Sequence, residues 1–142
     1  MSTDFVLDTS VTMTWFFASE SSPATDEIQA KLAAGSSAIV PLHWRLEVAN
    51  VLLMAERKRV TSSSETTQFL SLLDVLSIEI DSQTDRRAYT NTLTIAREHK
   101  LTSYDAAYLD LALSRGLALA TLDKELRSAA KRLGVKLLPD TL

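Results

Sequence analysis

The chain contains no cysteine and few residues that interrupt regular structure. Its 142 residues include 3 glycines and 3 prolines, and 46% of them are hydrophobic. Without cysteine, neither a disulfide framework nor a thiolate metal site such as a zinc finger can form. The length and composition predict one domain, residues 1–142, built around one hydrophobic core.

Excess positive charge and long apolar runs are also missing. The 15 basic residues stand against 18 acidic ones, which gives a net charge of −3. A polyanionic partner therefore needs a local basic patch or a metal ion to bind. The longest apolar run, around "VANVLLMAE", is too short to span a bilayer, so we expect no membrane association. The N-terminal "MSTDFVLD" lacks the features of a signal peptide, and we expect a cytoplasmic protein.

Short apolar segments alternate with longer helical segments along the chain. Capping signals at Ser22, Ser62 and Ser82 predict three of the helix starts. The helix "HWRLEVANVLLMAERKR" is apolar on nearly every side and is predicted to be mostly buried. Strands too apolar to face water, separated by helices, predict a three-layer α/β/α domain with a parallel sheet. The predicted strands are "FVL", "SAIV", "SIEI", "LALAT" and "VKLL".

Four acidic residues occupy positions that a parallel sheet brings near one another. Asp8 ends the first predicted strand and Asp123 follows "LALAT", so both are expected at the carboxyl edge, where open α/β sheets bind ligands. Asp105 lies in the first turn of a helix that starts at the same edge. Glu47 lies inside the most apolar helix, where an unpaired carboxylate is costly.

Each of these acids also has a structural interpretation. Asp8 and Asp123 can cap the helices that follow them, and Thr102 with Asp105 has capping-box spacing. Carboxylates from several elements stabilise a fold poorly, because they repel one another, but they suit Mg²⁺ or Mn²⁺, which prefer oxygen ligands. The basic residues that can instead pair with Glu47 are Arg45, His43 and Arg87.

The order of the motifs resembles a known family. "VLDTSV", the acid in "LEVANVL", "LTSYDAAYLDLAL" and "LATLDKEL" are similar to the PIN domain, and most closely to the VapC-type toxins of toxin-antitoxin pairs. The resemblance covers nearly the whole chain. It implies a three-layer PIN-like domain with a central parallel sheet of about five strands, and an acidic pocket that binds Mg²⁺ or Mn²⁺ and hydrolyses RNA.

The same resemblance implies partners and residue roles. VapC-type toxins form homodimers, and a small VapB-like antitoxin neutralises them by covering the active-site groove. Among the acids, Asp8 and Asp105 are the first choices as direct metal ligands. The residues matched by position are the catalytic and metal-binding acids Asp8, Glu47, Asp105 and Asp123 and the supporting polar residues Ser10 and Thr121.

Contacts with RNA require cations outside the acidic pocket. Lys124, Arg127 and Lys131 follow Asp123 at helical spacing and are candidates for phosphate contacts, with the run at 57–59 a weaker candidate. Basic residues on the outer face of a helix are also typical of a solvated surface. The aromatic run "WFF" is too continuous for one buried stripe, so part of it is expected to contact a second copy of the chain or a partner peptide.

Two other classes of function remain open from the residues alone. A receiver-like or phosphatase-like α/β domain would use Asp8 as phosphoacceptor or nucleophile. Such a site pairs adjacent acids with a lysine at a later strand end, where this chain has "LATLD" instead. A non-catalytic PIN-like module would only bind protein, and the presence of all four acids argues against it.

Overall fold

The computed structural model describes residues 3–142 and contains one five-stranded sheet. Its strands are β1 (Phe5–Leu7), β2 (Ala38–Val40), β3 (Ile78–Ile80), β4 (Ala118–Ala120) and β5 (Leu137–Leu138). Their order across the sheet is β3-β2-β1-β4-β5, and every neighbouring pair is parallel. The predicted α/β fold with a central parallel sheet of about five strands is confirmed.

Helices connect the strands. They are α1 (Thr9–Thr14), α2 (Pro23–Ala33), α3 (Trp44–Arg57), α4 (Ser63–Asp74), α5 (Thr84–Arg87), α6 (Leu93–His99), α7 (Ser103–Arg115) and α8 (Lys124–Arg132). A 3₁₀ turn at Ala18–Glu20 follows α1, and a π-helical turn at Ala88–Thr92 joins α5 to α6. Within residues 3–142, no helix is both long enough and apolar enough to cross a bilayer.

The centre of the sheet is covered on both faces. Phe5, Val6 and Leu7 of β1 each have an exposed fraction of 0%. Because successive side chains of a strand point to opposite faces, apolar side chains must pack against β1 from both sides. The helices therefore flank the sheet as two outer layers, and the carboxyl ends of the strands form one open edge between them.

Two of the three predicted capping signals are confirmed. The hydroxyls of Ser22 and Ser62 each accept a hydrogen bond at 3.2 Å from the backbone N–H three residues further on. The prediction for Ser82 is wrong, because α5 begins at Thr84 and has no side-chain cap. The Thr84 hydroxyl instead donates to the carboxylate of Asp81 at 2.9 Å.

The prediction that α3 is mostly buried is wrong. One face, which includes Trp44, Val48 and Leu52, packs into the core. The opposite face is open, and the exposed fractions of Leu46 and Leu53 are 75% and 42%. Composition shows that a helix is apolar all round, but only the tertiary neighbours decide how many of its faces are covered. The outer face of α3 therefore exposes two leucines, together with Asn50 and Arg57.

Candidate active site

The strand register places Asp8 beside Thr121. Leu7 of β1 is paired with Ala120 of β4, so the residues that follow leave the sheet side by side. The Asp8 N–H donates to the Ala120 carbonyl at 3.0 Å. The Thr121 hydroxyl donates to Asp8 Oδ2 at 2.7 Å. The prediction that these two strands end at the same carboxyl edge of the sheet is therefore confirmed.

The Asp8 side chain does not cap α1. Its backbone occupies the N-cap position, but its carboxylate accepts no capping hydrogen bond. Oδ2 instead accepts from the Ser10 hydroxyl at 2.6 Å, in addition to Thr121. Burial raises the pKa of Asp8 to about 6, because the two hydroxyls only partly offset it and the charges of Glu47 and Asp105 add to it. Asp8 is a buried acid that faces other acids.

Glu47, in the first turn of α3, is held by hydroxyl groups. Its Oε1 accepts a short hydrogen bond from the Tyr108 hydroxyl and another from Thr9 Oγ1 at 3.2 Å. Among the expected basic partners, His43 Nε2 lies 4.0 Å from Oε1, whereas Arg87 pairs with other acids. Sequence reasoning missed both hydroxyl partners.

Sequence signals for these two partners do exist. Tyr108 lies three residues after Asp105 in α7, so the two side chains share one helix face. Thr9 stands between Asp8 and Ser10, in the first turn after the strand end. Neither residue type is ionisable near neutral pH, and a search for acids and bases passes over both.

Asp105 and Asp123 both lie at helix starts but differ in their bonds. The Thr102 hydroxyl accepts from the Asp105 N–H at 3.1 Å, so Thr102 caps α7 as its spacing indicates. Burial raises the pKa of Asp105, and the charges of Asp123 and Glu47 raise it further. Asp123 Oδ1 caps α8 by accepting from the Leu126 N–H at 2.9 Å, which confirms the structural interpretation for that oxygen.

The acids act on one another electrostatically without forming a ready-made metal cage. Within the part of the chain that the structure describes, no group of three or more His, Asp or Glu side chains is arranged to hold a metal ion. One oxygen of each of Asp8, Glu47 and Asp123 already accepts hydrogen bonds. The donor set is nevertheless the one that Mg²⁺ and Mn²⁺ prefer, and both ions commonly keep several waters. The donor chemistry fits a hard divalent cation.

The three candidate basic residues of α8 differ in exposure. Arg127 is only 5% exposed, and its guanidinium donates to the carbonyls of Thr121 at 2.8 Å and Pro139 at 2.6 Å. These bonds hold the guanidinium inside the protein, so Arg127 does not lie on the outer face of α8. Lys124 and Lys131 are exposed on the same helix.

Two further buried carboxylates, Asp81 and Asp110, share one arginine. Arg87 pairs with Asp81, which follows β3, and through Nε with Asp110 of α7 at 3.2 Å. Thr92 of the π-helical turn donates to Asp110 Oδ2 at 2.7 Å. We call these four side chains the Arg87 network. It connects the end of β3 to α7, the helix that carries Asp105.

Comparison with known proteins agrees with this geometry. The family model of the PIN domain matches residues 5–132 of this chain. The chain belongs to the PIN domain family. PIN domains are generally nucleases, and PIN nucleases generally use divalent metal ions. No curated protein matches the sequence.

Two solved structures are similar to this PIN domain. One is the crystal structure of PAE2754 from Pyrobaculum aerophilum, with a TM-score of 0.69 and 22% identity over 98% of this chain and 92% of that chain. The other is VapBC2 from Rickettsia felis bound to a DNA fragment from their promoter, with a TM-score of 0.63 and 13% identity over 88% of this chain and 92% of that chain. At these identities the likeness shows a shared fold.

Proposed function

We propose that this PIN domain is a Mg²⁺- or Mn²⁺-dependent endoribonuclease that hydrolyses RNA phosphodiesters. One observation carries the proposal: Asp8 is buried at the open edge of the sheet, is bonded only to neutral hydroxyls among the contacts described above, and faces Glu47 and Asp105. Uncompensated carboxylates in a crevice are costly for a fold, and a bound cation removes that cost. The family match supports nuclease chemistry at the same place.

Each proposed site residue has a task that its bonds allow. When bound, a divalent cation acidifies a water for in-line attack and neutralises charge on the leaving oxygen. Ser10 and Thr121 both hold Oδ2 of Asp8, which leaves Oδ1 for the cation. Asp105 is the second proposed direct ligand. The residues proposed to complete the site through water, or to accept a proton, are Glu47 and Asp123.

We propose that Lys124 and Lys131 contact the RNA backbone. Both are exposed on α8, the helix that begins immediately after Asp123. Lysine ammonium groups beside the acids supply the phosphate contacts that position a nucleic acid without reading its sequence. Arg127 takes no part in this contact, because its guanidinium is bonded inside the protein.

The cleavage experiment uses purified protein and total cellular RNA. We expect new RNA ends with Mg²⁺ or Mn²⁺ and none with chelator, because four carboxylates without a cation repel a phosphodiester. Asp8→Asn should abolish cleavage, whereas Glu27→Gln, an exposed change in α2, should leave it intact. Cleavage by Asp8→Asn in chelator at the wild-type rate would remove the proposal.

We also propose that the protein is the toxin of a cytoplasmic toxin-antitoxin pair. The fold is shared with VapBC2 from Rickettsia felis, which supports a small VapB-like antitoxin as partner. The acids would attract a basic side chain of the antitoxin, and the partly buried aromatic side chains at 15–17 offer apolar contact area. Co-expression with the gene adjacent to this one, followed by purification, tests the pair: a stable complex without ribonuclease activity is expected.

The outer face of α3 is the surface that we propose for a homodimer. Leu42, Leu46 and Tyr104 are 58%, 75% and 63% exposed and line one groove of about 290 Å³. Leu46→Asp should convert a dimer to a monomer in light scattering, because it places a charge in this apolar surface. Leu72→Asp is the matched control on α4, where Leu72 is 61% exposed. A wild-type monomer at high concentration would exclude the dimer.

A further inference from the structure

A second pocket opens beside the acids, on the side of α1. Its volume is about 500 Å³. Met13, Phe17, Val51 and Leu122 give it apolar walls, and the exposed Glu20 adds one carboxylate. We call this cavity the α1 pocket. None of the proposed catalytic steps uses it.

Two residues belong to both the α1 pocket and the acidic site. Ser10 lines the pocket and donates to Asp8 Oδ2 at 2.6 Å. Thr9 lines it as well and donates to Glu47 Oε1 at 3.2 Å. One hydrogen bond therefore separates the pocket wall from the carboxylates. A phosphodiester at the acids would place its own nucleotide, or the next one, at the mouth of this pocket.

The walls of the α1 pocket suit a nucleobase better than a phosphate. The ring of Phe17 lines this pocket and is set edge-to-face against Phe16, with centroids 4.9 Å apart. Unpaired bases stack on such aromatic faces. The Glu20 N–H donates to the Phe17 carbonyl at 2.9 Å, so the carboxylate and the ring belong to one turn. A carboxylate repels phosphate but accepts a hydrogen bond from the amino group of a base.

We propose that the α1 pocket binds one unstacked base of single-stranded RNA next to the cleaved bond, and that Glu20 favours a base with an exocyclic amino group over uracil. The inference rests on the proposed endoribonuclease function and adds a substrate class to it. Bases in a duplex are stacked and paired, so they do not enter such a pocket. Phe17 and Glu20 are then specificity-determining residues outside the acidic site.

The matched variants are Phe17→Leu and Phe16→Leu. Leucine keeps apolar volume at either position and removes only the aromatic face. Phe16 is the control because it packs on Phe69, with ring centroids 4.9 Å apart, and does not line the pocket. With randomised single-stranded oligoribonucleotides as the probe, wild type and Phe16→Leu should disfavour uracil at one position beside the cleaved bond. Phe17→Leu should cleave about tenfold more slowly and lose the preference.

Glu20→Gln tests the carboxylate. This variant should accept uracil at that position, because the amide can also donate a hydrogen bond to a carbonyl oxygen of uracil.

A binding measurement separates this inference from the proposed function. Fluorescent oligoribonucleotides, each with one abasic position, are titrated with protein in Ca²⁺. One abasic position should weaken binding to wild type and Phe16→Leu about tenfold and leave binding to Phe17→Leu unchanged. If the abasic position weakens binding equally in Phe16→Leu and Phe17→Leu, the α1 pocket does not bind a base, and a contact with a protein partner becomes the better explanation of its apolar walls. A wild type that shows this coupling but cuts no RNA would retain the pocket and refute the endoribonuclease.

Discussion

Asp8 is ionised at a place where burial and two other acids oppose its ionisation. Its folded-state pKa of about 6 lies above the ordinary value of 3.8. Below 3.8 the side chain is neutral in both the folded and the unfolded chain, so it imposes no cost there. As the pH rises from 3.8 to about 6, the unfolded chain loses this proton while the folded chain still holds it, so the folded chain loses stability, and the loss is complete above about 6. Acids in a metal-free site thus make the protein less stable at neutral pH.

Asp8→Asn should remove this dependence on pH. The pKa difference corresponds to about 3 kcal/mol in the free energy of unfolding. In chelator, the stability of Asp8→Asn relative to wild type should therefore rise by about 3 kcal/mol between about pH 4 and pH 7. Urea unfolding at several pH values measures this change. Glu27→Gln should show no such trend, and a flat difference for Asp8→Asn would mean that Asp8 is not an uncompensated buried acid.

Tyr108 is a neutral residue with a defined task in an acidic site. It is fully buried, and burial together with the charges of Asp8 and Glu47 raises its pKa above the ordinary value. Its hydroxyl therefore keeps its proton and donates to Glu47. This bond fixes the rotamer of Glu47 on α3 from a side chain on α7.

Tyr108→Phe should leave Glu47 with Thr9 as its one remaining hydrogen-bond donor among residues 3–142. The loss of a bond to a charged group is expected to cost about 1.5–3 kcal/mol in urea unfolding. Mn²⁺ affinity should fall about 10- to 100-fold, because the carboxylate is no longer oriented. Tyr104→Phe is the control, on the same helix and 63% exposed. Unchanged Mn²⁺ affinity in Tyr108→Phe would place Glu47 outside the cation site.

At the scale of the elements, the Arg87 network holds α7 against the end of β3. Burial raises the pKa of Asp81, but hydrogen bonds from Thr84 and Arg87 outweigh it and hold the pKa below its ordinary value. Asp81 and Asp110 are 1% and 2% exposed. Arg87 pairs with both carboxylates, and a guanidinium nitrogen of Arg115 lies 3.6 Å from the other oxygen of Asp81. At the predicted capping box of Ser82, Thr84 and Arg87 instead donate hydrogen bonds to Asp81.

Arg87→Met should destabilise the protein by about 3–5 kcal/mol, because it removes the cation that pairs with Asp110 and leaves Asp81 with only the more distant Arg115 among the described residues. The measurement is urea unfolding at neutral pH. Arg86→Met is the matched control, since Arg86 is exposed in the same turn. Asp110→Asn added to Arg87→Met should recover part of the loss by removing one buried charge. Equal stability of the two single variants would show that the network contributes little to packing α7.

At the scale of the molecule, the alternation of apolar strands and helices was enough to predict the parallel sheet and its carboxyl edge. It was also enough to predict that Asp8 and Asp123 follow strands that end at this edge, because parallel strands share one direction. The burial of Arg127 and the open face of α3 were not predictable from spacing. Both depend on neighbours distant in the chain: the C-terminal carbonyls for Arg127, and the absence of a covering element over Leu46 within residues 3–142.

A cation held between Asp8, Glu47 and Asp105 must stabilise the folded chain. An ion that binds only the folded state raises the free energy of unfolding by about 1.4 kcal/mol at tenfold its Kd. Asp105→Asn relieves repulsion but removes a proposed ligand. Asp26→Asn is the matched control, because Asp26 is an exposed acid in the first turn of α2 and is expected to change stability by only about 0.3–1 kcal/mol through the helix dipole.

The measurement is thermal unfolding of these three proteins during a Mn²⁺ titration that starts in chelator. Wild type and Asp26→Asn should gain the same increase in Tm with Mn²⁺. Asp105→Asn should melt at or above wild type in chelator and gain much less from the ion. If Asp105→Asn is instead uniformly less stable and responds to Mn²⁺ as fully as wild type, Asp105 only stabilises a helix start and the proposed cation site does not exist.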